Sequence, residues 1–191
     1  TNSFNNTHCI SSDELWVNVI PTIEVNNQLI IQCEDEYNSN ESEVNLIDIE
    51  SEISNNTEAF THWFSDINLV TEIANPNNYT VSGNQTIYAV LSANLNCDNT
   101  AIVEFNTNSM PEANNFSINL CDLIEDDISL DLTNYESQIT SDGNINWINQ
   151  FGLEINSTNY QLIESQVLTA EITNDENCFN SADVTINLNS S

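Results

Sequence analysis

Five cysteines are the residues of this 191-residue chain whose spacing best suggests chemistry: Cys9, Cys33, Cys97, Cys121 and Cys178. Cys9 and Cys33 lie 24 residues apart, as do Cys97 and Cys121; 88 residues separate Cys9 from Cys97 and Cys33 from Cys121. No CxxC pair is present, and neither histidine, His8 or His62, stands near paired cysteines, so a structural zinc site is not expected. What remains is disulfide chemistry in an oxidising compartment. The simplest pairing joins Cys33 to Cys97 and Cys121 to Cys178, which leaves Cys9 without a partner. Each bridge would close a loop of ~60 residues and stabilise it by very roughly 4 kcal/mol in the chain-entropy view. A rival pairing joins Cys33 to Cys178. It applies if the strand before Cys33 runs the full length of its sheet and delivers Cys33 to the opposite pole from Cys97. We take the first pairing as the expectation and keep the second open.

Acidic clusters follow two of these cysteines. Cys33 leads into Glu34, Asp35 and Glu36, then Glu41 and Glu43; Cys121 leads into Asp122, then Glu125, Asp126, Asp127 and Asp131. Calcium takes 6–8 oxygen ligands, so Glu34, Asp35, Glu36, Asp122, Asp126 and Asp127 form a candidate calcium set. The competing reading is a solvated charged loop. No EF-hand spacing is present and the two clusters differ in detail. No other cofactor is suggested.

The overall charge excludes whole classes of function. The chain has 30 Asp plus Glu and no Lys or Arg, for a formal net charge of −30. Average usage would supply on the order of 20 basic residues at this length. Nucleic-acid binding needs cations to displace phosphate counterions, and docking on an anionic membrane needs a basic patch. Both are excluded, as are phosphate-binding and Schiff-base lysines. Trypsin-type cleavage sites are also missing, and we expect resistance to such proteases. No apolar run approaches the ~18 residues of a membrane span. The start at Thr1 leads us to expect a mature or excised segment of something longer.

Catalysis finds little support. Thirty acids make any chosen carboxylate pair uninformative as a glycosidase dyad. Glu50 and Glu136 recur at matching positions, where a local structural role is expected. His62 precedes Trp63, but Asn146 precedes Trp147, so the histidine does not recur.

The elements that must position these residues repeat with the cysteines. VNLIDIESEI (44–53) matches LDLTNYESQI (130–139), Trp63 matches Trp147, Tyr79 matches Tyr160, and IYAVLSANLNC (87–97) matches LTAEITNDENC (168–178). Residues 1–20 resemble the last strand region of a preceding repeat, 21–109 form one repeat and 110–191 a second. The linkers are short and marked by Pro21 and Pro111. Within each repeat the apolar period is 2, over Gln28–Gln32, Glu43–Ile49, Phe60–Ser65, Tyr79–Val81, Gln85–Ala93 and Ala101–Asn106. Glu50–Ile53 reads as a single helical turn. The pattern predicts an all-β fold: tandem antiparallel immunoglobulin-like β-sandwiches joined end to end. Trp63 and Trp147 are expected in the cores, with Trp16 in a comparable strand, and Tyr79 and Tyr160 are expected to cap the sandwich edge.

The order of a cysteine with an acidic loop, an apolar-acidic strand, a Trp-centred strand, NYT or NYQ, and a strand ending at NLNC resembles the tandem repeats of giant Bacteroidota cell-surface adhesins. These are of the type associated with gliding motility and type IX secretion. Such repeats usually carry an Arg in the strand before the second cysteine, where this chain reads YAVLSA and LTAEIT. The resemblance covers essentially the whole chain. It implies a non-catalytic, exported module in the stalk or fibre of an adhesin, acting as spacer and adhesive surface. Its partners would be neighbouring repeats and surface polysaccharide. Two alternatives stand beside it: a protomer of an extracellular filament, and a carbohydrate-binding module.

Overall fold

The computed structural model describes residues 12–17, 22–55, 58–93, 97–121 and 128–189. Two halves repeat the same plan. In the first, the strands are β1 (Gln28–Cys33), β2 (Glu41–Val44), β3 (Phe60–Phe64), β4 (Tyr79–Ser82), β5 (Gln85–Ser92) and β6 (Asn99–Asn108). In the second they are β7 (Phe116–Cys121), β8 (Ile128–Leu130), β9 (Asn144–Ile148), β10 (Tyr160–Leu162), β11 (Gln166–Thr173) and β12 (Phe179–Asn189).

Each half has one four-stranded sheet, β1-β6-β5-β3 or β7-β12-β11-β9, and one two-stranded sheet, β2-β4 or β8-β10. This is the immunoglobulin arrangement. Strands 3, 5 and 6 of each half stand as C, F and G, strands 2 and 4 stand as B and E on the opposing sheet, and the first strand lies along the G edge. All pairs are antiparallel except that edge: β1 runs parallel to β6 with Cys33 beside Asn108, and β7 runs parallel to β12 with Cys121 beside Asn189. The parallel edge fixes where the cysteines go, because it carries β1 to the far end of its sheet.

The strands form where alternation lets one face meet the core. β5 and β11 share one burial rhythm, with Ile87, Ala89 and Leu91 inward in the first and Leu168, Ala170 and Ile172 inward in the second. Two separate cores result. One draws on residues from Ile23 to Phe105 around Trp63, the other on residues from Ile118 to Ile186 around Trp147. Both tryptophans are 2% exposed.

One segment departs from the expected alternation. Glu43–Ile49 is not a strand throughout: β2 stops at Val44, and helix α1 covers Leu46–Ile53, two turns rather than one. Asn45 caps its start by accepting from the Ile47 N–H at 3.2 Å. Leu46 and Ile53, both fully buried, sit seven residues apart on one helix face. In the second half Asp131 plays the capping part for Thr133, a 3-10 turn covers Leu132–Tyr135, and α2 follows over Glu136–Ile139. Trp16 also departs from expectation. It is 89% exposed, and residues 12–17 form no regular structure.

Candidate functional site

The junction between the two halves gathers the most chemistry. The Cys33 and Cys178 sulfurs are bonded, with Cα atoms 5.6 Å apart and 145 residues between them in sequence. This overturns the pairing of Cys33 with Cys97 and Cys121 with Cys178. Cys97 and Cys121 are free and exposed. The reason is topological. The parallel run of β1 on β6 places Cys33 at the pole where the chain leaves the first half, and Cys178 sits there too, in the turn between β11 and β12 of the second half. Cys9 lies outside the described residues.

Glu34 sits beside the bridge and is only 4% exposed. Its Oε1 accepts from the backbone N–H of Asn38 at 2.9 Å and of Met110 at 3.0 Å, and its Oε2 accepts from the Asn40 N–H at 2.8 Å. Asn38 and Asn40 adopt left-handed backbone, φ 61° and 53°, a conformation asparagine tolerates better than most residues. Gly83 closes the same loop by donating its N–H to Asn40 O at 2.7 Å. Its φ is +61°, and a Cβ there would lie 2.8 Å from the Asn40 amide nitrogen, so only glycine fits without adjustment. Burial pushes the Glu34 carboxyl up, but the N–H groups of Asn40, Met110 and Asn38 outweigh it and hold the carboxyl below the usual glutamate value.

The linker is held from the other side as well. Asn174 Nδ2 donates to Ser109 O at 2.8 Å, Asn180 Nδ2 donates to Pro111 O at 2.8 Å, and the Cys178 sulfur lies 3.9 Å from Asn108 O. Asn174 Oδ1 in turn accepts from the Cys178 N–H at 2.9 Å, shaping the turn.

Two of the candidate calcium ligands accept hydrogen bonds from backbone N–H groups. Glu34 points its carboxylate inward at backbone donors, and Asp35 Oδ2 accepts from the Glu43 N–H at 2.6 Å. Glu36 is exposed in the loop between β1 and β2. Asp122, Asp126 and Asp127 lie outside the described residues. Among the described residues no three His, Cys, Asp or Glu side chains gather as a metal-binding group.

Glu50 and Glu136 prove to serve the tryptophans. Trp63 Nε1 donates to Glu50 Oε1 at 3.3 Å, and Trp147 Nε1 donates to Glu136 Oε1 at 3.1 Å. The tyrosines pair with glutamines six residues on: Gln85 donates to the Tyr79 hydroxyl at 2.6 Å, and the Tyr160 hydroxyl donates to Gln166 at 2.7 Å. Burial raises the Tyr79 phenol above its ordinary value, partly offset by the Gln85 hydrogen bond. Sequence reasoning missed the hairpin tips after β3 and β9. Asp66 there accepts from the N–H groups of Asn68, Val70 and Thr71. It holds Ile67 and Val70 exposed, as Asn149 holds Phe151 and Leu153. Asp66 lies three residues after Trp63 and Asn149 two after Trp147, so the two tips share a type of polar residue but not a fixed spacing that the sequence would have shown.

No family model matches this sequence, and no curated protein sequence does. Among solved structures, the chain is similar to an I-band fragment of titin at 10% identity and a TM-score of 0.35, covering 91% of this chain and 67% of that one. It is similar to the insect immune protein hemolin at 8% identity and a TM-score of 0.36, covering 93% of this chain and 49% of that one. Similarity to the immunoglobulin domains 1–4 of Sidekick-1 has 11% identity and a TM-score of 0.27, covering 88% of this chain and 51% of that one. The chain thus spans about half the length of the hemolin and Sidekick-1 chains. Likeness at this level carries no argument, and the fold assignment rests on the strand order itself.

Proposed function

We propose that residues 21–109 and 110–191 are successive modules of a non-catalytic extracellular string, part of the stalk or fibre of a large cell-surface adhesin. The observation that carries this reading is the junction. Two equivalent sandwiches are joined by a disulfide and a buried carboxylate that hold the linker from both sides. An enzyme gains nothing from that arrangement; a load-bearing spacer does, because a tug on the string meets a covalent bond before it meets a flexible linker. The disulfide supports an oxidising location outside the cell. The large negative charge supports exposure to solvent and self-repulsion between neighbouring strings. Exposed apolar tips at Ile67, Val70, Phe151 and Leu153 support an adhesive surface, with surface polysaccharide or another protein as ligand. The association with gliding motility and type IX secretion follows from the sequence resemblance and belongs to the same proposal.

Antibodies raised against the 191-residue chain test it. Immunogold labelling of intact cells is expected to decorate extended surface fibres. Label that appears only after the cells are opened would overturn the reading. A glycan array separates the spacer from the carbohydrate-binding module: specific hits abolished by altering Phe151 and Leu153 would favour the latter.

A further inference from the structure

The observed bridge joins two kinds of position, and the described residues contain each of them twice. One kind ends the first strand of a half: Cys33 ends β1, and Cys121, 88 residues later, ends β7. The other kind stands just before the last strand: Cys178 precedes β12, and Cys97 precedes β6. Cys33 and Cys178 satisfy each other. Cys121 and Cys97 are left free and exposed, one of each kind.

The surroundings of the free pair match those of the bonded one. Cys121 lies beside Asn189 in the β7–β12 register as Cys33 lies beside Asn108 in β1–β6, so the chain leaves both halves next to this cysteine. Asp122 follows Cys121 as Glu34 follows Cys33. At the other end, the segment entering the first half docks as the linker docks on the second. Asn99 Nδ2 donates to Ile23 O at 2.8 Å as Asn180 Nδ2 donates to Pro111 O, and Ile23 lies 88 residues before Pro111. Asn27 Oδ1 accepts from the Ile102 N–H at 2.9 Å as Asn115 Oδ1 accepts from the Asp183 N–H at 2.8 Å. From Ile23 onward, therefore, the entering chain meets the start of β6 as the linker meets the start of β12, the strands that follow Cys97 and Cys178. One contact differs: Ala93 stands where Asn174 stands, so the entry side lacks the side chain that grips Ser109.

We infer that Cys97 and Cys121 are the two halves of an intermodular staple, and that each takes a second copy of this repeat docked head to tail. Cys121 of one copy bonds to Cys97 of the next. The step consumes a disulfide oxidant such as oxidised glutathione. The Cys121 thiolate attacks it, releasing one glutathione thiol, and the Cys97 thiolate then displaces the second. One protein disulfide forms, two thiol protons and two electrons leave the protein, and two glutathione thiols are produced. The inference rests on the modular reading above, and it extends a single observed junction into a repeating one.

The test uses the full 191-residue chain with Cys9→Ser throughout, in a glutathione redox buffer that lets pairings exchange. Chain with both free cysteines is expected to form a ladder of disulfide-linked oligomers. Cys97→Ser alone and Cys121→Ser alone are expected to remain monomeric. Mixed together, they are expected to give dimers and nothing larger, with at least tenfold more dimer than either alone. The dimer should yield a Cys97–Cys121 peptide under non-reducing digestion by a Glu-specific protease. Homodimers from either variant alone at comparable yield, or no dimer in the mixture, would overturn the inference. Either result leaves the surface-labelling test of the broader function untouched, so the two can fail separately.

Discussion

Two glutamates show how a chain without lysine or arginine uses its carboxylates internally. Glu34 has no cation to pair with, so its partners are three backbone N–H groups, which together stabilise an anion well when it is buried. Glu34→Gln keeps one acceptor oxygen but turns an NH2 group toward backbone donors. It is expected to cost about 2–3 kcal/mol by chemical denaturation, since hydrogen bonds to charged groups are the strong ones. The pH dependence has a definite sign. The folded carboxyl sits below its ordinary value, so its contribution is complete above the ordinary glutamate range and is lost as pH falls through the depressed value. Stability of the wild type relative to Glu34→Gln should therefore shrink in acid; a gap that stays constant down to the pH of acid unfolding would contradict the assignment. Glu136 has a different task, accepting from the Trp147 indole at 3.1 Å. Glu136→Ala should cost about 1–2 kcal/mol because a largely buried N–H loses its partner, while Glu136→Gln should recover most of that. Near-ultraviolet circular dichroism of the tryptophan band would report the local change alongside the melt.

At the scale of the elements, the staple is a consequence of one strand's direction. Because β1 runs parallel to β6, Cys33 is carried to the exit pole of its sheet. In the chain-entropy view a bridge spanning 145 residues is worth about 5 kcal/mol against the fully unfolded chain. Cys33→Ser and Cys178→Ser should each lower stability by about 2–5 kcal/mol. They should also release a thiol that is unreactive in the folded, oxidised wild type. Equal stability of wild type and variants would show that the junction holds without its bond. The elements also show what could be read in advance. The repeat, the sheet-forming alternation of β5 and β11, and the tryptophan cores were legible because cysteine spacing and period-2 burial are local signals. Helix α1 was not. Its buried positions, Leu46 and Ile53, are two turns apart, and the intervening Ile47 and Ile49 alternate with polar residues as a strand would. Asn45 as a cap was the clue. The disulfide pairing was illegible for another reason: it depends on which pole a strand ends at, and a sequence that fits an edge strand does not state whether the edge is parallel or antiparallel. Nor could the acidic loop announce that Glu34 faces backbone donors and not solvent, since that depends on Met110, 76 residues away.

For the whole molecule, thirty acids without a Lys or Arg mean that almost every charge–charge interaction is repulsive. The one ion pair among the described residues is His62 with Glu72 at 2.9 Å, exposed on both sides and present only if the imidazole is protonated. Folding brings the carboxylates of each sandwich closer than they are in the expanded chain, so repulsion opposes folding, and screening should favour it. The screening length falls from about 30 Å at 0.01 M salt to about 3 Å at 1 M. The first length reaches across a sandwich, and the second barely reaches a neighbouring side chain. The melting temperature should therefore rise with sodium chloride, by several degrees in all, with most of the gain at low concentration. A protein stabilised by surface salt bridges would lose stability over the same range. The same repulsion acts between copies, so the head-to-tail bond between Cys121 and Cys97 should also form faster as salt is added. If both the melting temperature and the coupling rate are flat from 0.01 to 1 M, charge is not what sets the balance between compaction and extension in this chain.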